Sequence, residues 1–220
     1  MKMIGRVLCT ALFLGIGFAG GSAQVRFSRT DAAALPAPDD SQHNAMGADL
    51  LVSLGGFGGG VFYRHEFSDV LSSFVDFSIS ESKDDDERDY IDYYGNRYTY
   101  NLVNRFLVLP LFVGVEQRLF KDEILDNFRP YVSAAAGPAM IYVFPNADEF
   151  FTALGKGQPR YTAGGFLGFG AYFGTEKTRM FGLDLRYYII PYPNGIESLL
   201  GTTKTEFGGF YITINFGGAI

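Results

Sequence analysis

Large apolar residues occupy alternate positions in short segments of the chain, and the last segment shows this pattern most clearly. Its large apolar residues are Phe210, Ile212, Ile214 and Phe216, and the residues between them are polar or amphipathic. Successive side chains of a β-strand point to opposite faces, so the alternation predicts a strand with one apolar face and one polar face.

The same alternation predicts eight strands, each of roughly the 9–11 residues that a tilted strand needs to cross a bilayer. They are Gly47–Gly55, Gly58–Phe67, Ser72–Glu81, Arg105–Phe120, Arg129–Val143, Arg160–Gly174, Met180–Ile190 and Thr205–Phe216. The glycine-rich stretch Gly55–Gly60 is interpreted as a tight turn near Phe57, although it also fits the bulged middle of one longer strand.

The connections between these strands alternate in length. The long ones are Ser82–Asn104, Pro145–Pro159 and Pro191–Lys204. The shorter ones are Ser68–Leu71, Lys121–Asn127 and Thr175–Thr178. Bacterial outer-membrane barrels have short periplasmic turns, longer outer loops and an even number of strands. With both chain ends in the periplasm, all three long loops lie outside. The sequence therefore predicts an all-β fold, an eight-stranded antiparallel transmembrane β-barrel.

Charged residues recur on the polar face of the predicted strands. Side chains fill the interior of a small barrel, where charges are stable only when they are paired and hydrogen-bonded. We therefore expect a polar network in the lumen, formed by Arg64, Glu66, Asp76, Glu116, Arg118, Asp184 and Arg186. The structural alternative is a soluble, lipocalin-like barrel whose apolar face surrounds a ligand. Small residues on one face, such as Ser133, Ala135 and Gly137, suit a narrow lumen and favour the membrane barrel.

The beginning of the chain has the features of a secretory signal. Lys2 and Arg6 precede an apolar core, Val7–Ala19, and small residues follow it up to Ala23. Cleavage after Ala23 divides the chain into a signal peptide (1–23), a flexible leader (24–46) and a barrel domain (47–220). Cys9 is the only cysteine and lies in the signal, so the mature chain has neither disulfide nor thiol chemistry.

Charge and composition narrow the class of partner. The formal net charge of −6 argues against nucleic acid as a partner, because that function needs a basic surface. The 28 glycines permit bulges and close approach of strands, and the 22 Phe and 14 Tyr residues favour strands.

Catalytic chemistry has little support in this sequence. Of the two histidines, His43 lies in the leader, and His65 lies near the predicted periplasmic end of the second strand, close to Ser68. A histidine can activate a neighbouring hydroxyl, but lipid A chemistry takes place at the outer rim. We therefore predict no catalytic residue and no enzyme activity. No metal-ligand spacing or phosphate-binding loop is present either, so no metal or cofactor is expected.

The first long loop joins an acidic run, 83–89, to a tyrosine-rich segment. Clustered carboxylates can bind divalent cations, although the spacing is not that of an EF-hand and a solvated loop is the simpler interpretation. The second part contains Tyr90, Tyr93, Tyr94, Arg97, Tyr98 and Tyr100. Tyrosine supplies rigid amphipathic contact area in binding loops and also forms aromatic belts at membrane surfaces. The segment is therefore a candidate interaction loop or a belt.

From Gly47 to Ile220 the chain resembles the small outer-membrane β-barrel proteins of Gram-negative bacteria, the broad OmpX/OmpW-like, porin-like group. These proteins end on a strand with glycine, alternating apolar residues and an aromatic residue, which the barrel-assembly machinery recognises. The matching residues are Gly209, Ile212, Ile214 and Phe216. Two features depart from the family pattern: residues 217–220 follow Phe216, and Phe207 stands where a polar residue is usual.

The resemblance implies residence in the cell outer membrane, with membrane lipid, lipopolysaccharide and the barrel-assembly machinery as partners. It does not imply an activity, because function depends on sites rather than on folds. We expect a structural or interaction role in the cell envelope through the outer loops, with an extracellular partner as a candidate. The alternatives are a narrow channel for small or apolar solutes and the soluble ligand-binding barrel.

Overall fold

A closed antiparallel β-barrel forms most of the structure, a computed structural model that describes residues 44–220 except 85, 96, 125–126, 147–149 and 174–178. The predicted signal peptide, most of the predicted leader, Cys9, His43 and the predicted turn Thr175–Thr178 lie outside the described residues. In chain order the described elements are β1 (Asn44–Ser53), β2 (Gly56–Glu66), β3 (Leu71–Glu81), β4 (Asp89–Ile91), β5 (Arg97–Thr99), β6 (Asn104–Arg118), β7 (Phe128–Pro145), α1 (Phe150–Gly155), β8 (Gln158–Phe173), β9 (Arg179–Ile189), β10 (Pro191–Leu199), β11 (Thr202–Glu206) and β12 (Gly209–Ala219).

The barrel contains eight of the described strands, in the spatial order β1-β12-β9-β8-β7-β6-β3-β2, with β2 pairing back onto β1. Strands that follow one another in the barrel are antiparallel neighbours, and β12 closes the barrel against β1 with Asn215 opposite Asp49. The two remaining pairs, β4–β5 and β10–β11, are hairpins outside the barrel in the described part of the chain. The predicted fold class is confirmed.

The connections separate the two ends of the barrel. At one end, the turn end, the turn Phe67–Val70 joins β2 to β3, β6 and β8 end, and β7 and β9 begin. Asn44 and Ala219 also lie there. The other end, the loop end, has the turn at Leu54 and Gly55 and the three long connections. The long connections contain the β4–β5 hairpin, α1 and the β10–β11 hairpin, so they are partly built from regular structure.

The predicted turn near Phe57 is wrong, because β2 already begins at Gly56. Gly58 and Gly60 lie inside the strand, where a Cβ atom on Gly58 would stand only 2.4 Å from the carbonyl oxygen of Ile79. These glycines therefore permit close approach to β3 rather than a turn. β1 likewise begins at Asn44, before the predicted start at Gly47, because Asn44 continues the ladder opposite His65.

The predicted last strand, Thr205–Phe216, is interrupted. β11 ends at Glu206 and β12 begins at Gly209, because Phe207 leaves the sheet and its side chain is fully buried against Phe106, with 5.1 Å between the ring centroids. β12 also continues beyond Phe216, since residues 217–219 pair with β1. Residues 217–219 therefore lengthen the closing strand.

The barrel is apolar outside, and the buried charged residues of its strands point inward. On β9 the outward side chains are Phe181, Leu183, Leu185, Tyr187 and Ile189, and all are substantially exposed. The alternate residues Asp184, Arg186 and Tyr188 are buried in the lumen. This arrangement is the opposite of a soluble ligand-binding barrel, whose apolar face points inward.

Among the described residues, no helix is long and apolar enough to cross a membrane.

Candidate functional site

Arg186 is the centre of a buried ion network in the lumen. Its Nη1 lies 2.9 Å from Oδ2 of Asp76, its Nη2 lies 3.1 Å from Oδ2 of Asp49, and its Nε lies 3.1 Å from Oδ1 of Asp184. The guanidinium also stands 4.9 Å from the centroid of the Phe166 ring. Each side of the planar guanidinium fork therefore meets a separate carboxyl group, which a lysine could not reproduce.

Hydroxyl and amide donors extend the network around Asp184. Tyr131 Oη donates to Oδ2 of Asp184 at 2.7 Å, and Asn215 Nδ2 donates to the same oxygen at 3.2 Å. Asn215 Nδ2 also lies 3.2 Å from Tyr131 Oη. A buried carboxylate needs several donors to offset its lost hydration, and these residues supply them.

Arg64 forms a second network beside the first. Its Nη2 lies 2.9 Å from Oε2 of Glu116 and contacts Tyr172 Oη, which in turn donates to the same Glu116 oxygen at 3.0 Å. The guanidinium lies 4.4 Å from the centroid of the Tyr172 ring, a cation–π contact. Tyr172 stacks on Tyr131 with 4.5 Å between ring centroids, so the two networks are in contact.

Each arginine reaches across the full width of the barrel. Asp76 is on β3 and Arg186 on β9, and these strands are four places apart in either direction around the barrel. Arg64 on β2 and Tyr172 on β8 are also diametrically opposed. The two networks therefore connect opposite walls and occupy the middle of the lumen.

The structure brings five of the seven predicted lumen residues into these networks: Arg64, Asp76, Glu116, Asp184 and Arg186. Glu66 and Arg118 lie on the inward parity of their strands but are only half-buried, towards the turn end. The side chain of Glu66 makes no hydrogen bond or ion pair with the described residues.

Four further residues belong to these networks but were not among the predicted lumen residues: Asp49, Tyr131, Tyr172 and Asn215. A signal for Asp49 existed, because it is the only charged residue of β1 and shares the inward parity of Gly47 and Leu51. Tyr131 and Tyr172 had no such signal, since tyrosine is equally common on outward faces. Their role depends on which strands lie opposite each other, which the local pattern does not reveal.

An apolar cluster closes the lumen between the ion networks and the loop end. It includes Phe106, Phe112, Phe166, Ile190 and Phe207, all buried. Around the networks the remaining cavity is about 10 Å³, roughly the space needed to hold one water molecule. Side chains therefore fill the described lumen at the level of the networks and of this cluster.

Aromatic side chains mark both edges of the outer apolar band. Near the turn end an outward ribbon crosses four adjacent strands through contacts between neighbouring rings; its members are Phe128, Phe173, Phe181 and Phe216. Near the loop end, Tyr187 and Phe210 lie 4.8 Å apart between ring centroids.

The outward residues from Phe181 to Ile189 span about 26 Å along the strand and about 20 Å along the barrel axis at a tilt of about 40°. That height fits within the roughly 25 Å apolar band of outer-membrane barrels.

The tyrosine-rich segment of the first long loop projects from the loop end. Tyr93 is 98% exposed, Tyr94 86% and Tyr100 68%, and Tyr90 is about half exposed. The rings of Tyr93 and Tyr94 meet edge to face. For Arg97 and Tyr98 the structure describes only the backbone, which forms β5 opposite Ile91 and Tyr90.

The β10–β11 hairpin is fastened to the neighbouring loop segments. Val103 N donates to the carbonyl of Ser198 at 2.9 Å, and Ser198 Oγ donates to Oδ2 of Asp84 at 2.5 Å. Lys204 Nζ donates to the carbonyl of Lys83 at 2.6 Å. These bonds tie three chain segments into a cap over the loop end.

His65 and Ser68 do not form a nucleophile–base pair. His65 Nδ1 lies 2.7 Å from Oδ1 of Asn44, and its ring meets Phe67 edge to face. Ser68 Oγ accepts a hydrogen bond from the backbone N–H of Leu71 at 3.2 Å. Both residues lie at the turn end. Over the described residues, no group of three or more His, Cys, Asp or Glu side chains is arranged to hold a metal ion.

The residues that resemble an assembly signal lie on β12. Ile212, Ile214 and Phe216 point outward and pair with Val52, Leu50 and Ala48 of β1, across the seam that closes the barrel. Gly209 begins the strand with a φ of 134°, a conformation that favours glycine.

No protein-family model matches this sequence, and no curated protein is significantly similar to it. Among solved structures, Neisserial surface protein A (NspA) is similar with a TM-score of 0.51 and 11% identity, over 81% of this chain and 95% of that chain. A major outer membrane protein from Thermus thermophilus gives a TM-score of 0.49 and 12% identity, over 82% and 100%. The N-terminal β-barrel domain of Pseudomonas aeruginosa OprF gives 0.48 and 11%, over 83% and 100%. The likeness to NspA shows that the chain has the fold of eight-stranded outer-membrane barrels.

Proposed function

We propose that the protein is an outer-membrane barrel with a closed lumen, which acts in the cell envelope by presenting its loop end to an extracellular partner. The observation that carries the proposal is the contrast between the two parts of the molecule. The lumen is filled by ion networks and aromatic side chains. The loop end, in contrast, is a cap of hydrogen-bonded loop segments that carries exposed tyrosines. A transport role has no comparable observation in its favour.

The outer surface supports a membrane location. The apolar residues of the barrel face outward, and aromatic side chains mark both edges of this band. Membrane lipid covers the band in our proposal, with lipopolysaccharide around its upper edge. The predicted signal peptide, 1–23, directs export, and the turn end faces the periplasm, as in other outer-membrane barrels.

The exposed tyrosines support an interaction role for the loop end. Tyrosine provides contact area that is large, rigid and partly polar, and it is enriched at protein interfaces. Tyr93 and Tyr94 lie at the tip of the β4–β5 hairpin, so β4 and β5 separate them along the chain from the barrel strands β3 and β6. That distance along the chain favours an interaction role over a membrane belt for these two residues. A protein partner outside the cell is the candidate that fits this surface.

The closing strand supports assembly by the barrel-assembly machinery. That machinery is the proposed partner of Gly209, Ile212, Ile214 and Phe216, since these residues reproduce the pattern of other closing strands. Residues 217–219 lengthen the strand within the sheet, and the residues of the pattern keep their register with β1.

Cysteine labelling of intact cells tests the orientation. The predicted mature chain has no cysteine, so Tyr94→Cys introduces a single thiol at the loop end, and Val70→Cys is the matched control at the turn end. We expect a membrane-impermeant maleimide to label Tyr94→Cys on intact cells and Val70→Cys only after the outer membrane is permeabilised. Equal labelling of both variants on intact cells would contradict the proposal.

Site-specific photocrosslinking tests the partner. A photoreactive amino acid at position 93 or 94, in the native host, should give a covalent adduct with a second protein. The same amino acid at position 169, where Phe169 faces outward on β8, is the control and should give lipid adducts only. Failure to obtain a protein adduct at either loop position would rule against a protein partner for this surface.

A further inference from the structure

A cavity of about 440 Å³ lies at the loop end, separate from the exposed tyrosines and from the ion networks of the lumen. Its volume is within the roughly 300–1,000 Å³ range of small-molecule sites. It is partly open, and its wall includes Glu81, Lys83, Arg105, Phe106 and Asn146.

The rim of the barrel and the cap hold this cavity in shape. Glu81 ends β3, and Arg105 and Phe106 belong to the first residues of β6, where they pair with β7. Above them, Asn146 N donates to the carbonyl of Val103 at 2.9 Å, and Val103 N donates to the β10–β11 hairpin. The wall is therefore supported on both sides by backbone hydrogen bonds.

Three charged side chains in the wall are not used by the fold. Those of Glu81, Lys83 and Arg105 make no hydrogen bond or ion pair with the described residues. In addition, Oδ1 of Asn146 is buried without a hydrogen-bond partner among the described residues, while its Nδ2 donates to the carbonyl of Leu102. Two cations, a carboxylate and an amide acceptor thus line one cavity with free bonding capacity. A second carboxylate in the wall, that of Glu87, accepts a hydrogen bond from the backbone N–H of Asp84 and is not counted among them.

We propose that this cavity is a binding site for a small ligand that has a carboxylate group and several N–H or O–H donors. Arg105 and Lys83 hold the carboxylate, since a guanidinium and an ammonium both form charge-assisted hydrogen bonds to it. Glu81 and Asn146 accept hydrogen bonds from the donors. An acidic sugar and a short zwitterionic peptide share this chemistry, and both fit the volume. The site goes beyond the proposed interaction role and does not depend on it.

Calorimetric titration of the full mature protein in detergent micelles tests the site. The probes are glucuronate and alanyl-alanine. Glucose, which lacks the carboxylate, is the control for glucuronate, and N-acetylated alanyl-alanine, which lacks the ammonium, is the control for the dipeptide. We expect binding of at least one charged probe at millimolar or lower concentration, and much weaker binding of its matched neutral or acetylated control. Binding of glucuronate alone identifies an acidic sugar, and binding of the dipeptide alone identifies a peptide.

Two variants locate the binding. Arg105→Gln should weaken the binding about tenfold or more, as expected for a lost charge-assisted bond. Arg160→Gln is the matched control, because Arg160 is exposed at the loop end, bonds to Gln158 and lies outside the cavity. Heat-modifiable gel migration checks that each variant is folded. Three outcomes would overturn the proposal. Neither charged probe binds, glucose binds as tightly as glucuronate, or folded Arg105→Gln binds the probe as tightly as the unchanged protein. None of these outcomes bears on the photocrosslinks at Tyr93 and Tyr94.

Discussion

Arg186 contacts more charged groups than any other side chain described in the lumen. It has one carboxyl group at each edge of its guanidinium fork, from Asp49, Asp76 and Asp184. Because all four side chains are buried, removal of the guanidinium leaves carboxyl groups that have neither water nor a cation as a partner. A buried ion group of this kind is costly to break, although its net contribution to stability can be small when it is intact.

We predict that Arg186→Met destabilises the barrel by about 3–5 kcal/mol, the usual cost of removing one partner of a buried ion pair. Urea unfolding in lipid vesicles, followed by heat-modifiable gel migration, measures the change. Arg186→Lys should also lower the unfolding midpoint, because one ammonium cannot reach three carboxyl groups in the same geometry. Arg160→Met, at an exposed position, should leave the midpoint unchanged, and an equal loss in this control would refute the assignment.

The second feature at the scale of residues is the close packing of glycines against large aromatic rings in the lumen. A Cβ atom on Gly182 would stand 2.7 Å from the ring of Tyr172, so the tyrosine lies where any larger residue would have its side chain. We predict that Gly182→Ala lowers stability by about 1–3 kcal/mol through overpacking. Gly155→Ala at the end of α1 is the control, since no atom lies within 4 Å of its added Cβ. If Gly182→Ala and Gly155→Ala had the same unfolding midpoint, the lumen would have room to accommodate the added methyl group, and the prediction would be wrong.

The residues of the lumen were only partly predictable from the sequence. Strand alternation placed Arg64, Asp76, Glu116, Asp184 and Arg186 on the inward face, because parity is a local property of a strand. It did not indicate which of them would meet, since those contacts depend on the closed order of the strands. Asp76 and Arg186 are 110 residues apart in the chain, and only closure of the barrel brings them together.

At the scale of elements, the barrel strands were predictable and the loop-end hairpins were not. A strand that faces lipid on one side and a polar lumen on the other has two different faces, so its alternation is visible in the sequence. The short strands β4, β5, β10 and β11 lie outside the barrel and lack this constraint. Bonds such as that from Val103 to Ser198 fix β10 over the loop end, and these bonds join distant parts of the chain.

We predict that Leu111→Arg, on the outward face of β6, impairs insertion by about 2–4 kcal/mol if the residue lies near the bilayer midplane. Leu111 pairs with Phe77 in the middle of the outer apolar band. Val70→Arg in the turn between β2 and β3 is the control and should cost much less, because that turn lies at the edge of the band. Folding titrations into vesicles, with denaturant, measure both values. An equal cost at both positions would contradict the assigned membrane-facing surface.

At the scale of the whole molecule, side chains close the lumen at two successive levels along the barrel axis. The ion networks occupy its middle, and the apolar cluster around Phe112 and Phe166 occupies the part towards the loop end. An eight-stranded barrel is only wide enough for its own side chains. The sequence alone favoured a packed lumen on this ground, and the structure shows which side chains pack it.

We predict that the purified protein in planar bilayers shows no steady single-channel conductance. An ion would have to pass both the paired arginines and the aromatic cluster, and the cavity around the ion networks has room for about one water molecule. A general porin reconstituted in the same bilayer is the positive control. Reproducible single-channel steps from the folded protein would support the narrow-channel alternative and would refute a closed scaffold.

The bond between Arg186 and Asp49 joins the last hairpin of the barrel to its first strand. This bond cannot form until β12 has paired with β1, so the network is completed late, after the entropic cost of bringing distant strands together has been met. Contacts made after the folding transition state slow unfolding without slowing folding. We therefore expect the cross-lumen ion pairs to hold the closed seam together and to slow its opening, so that the lifetime of the folded barrel depends on its unfolding rate.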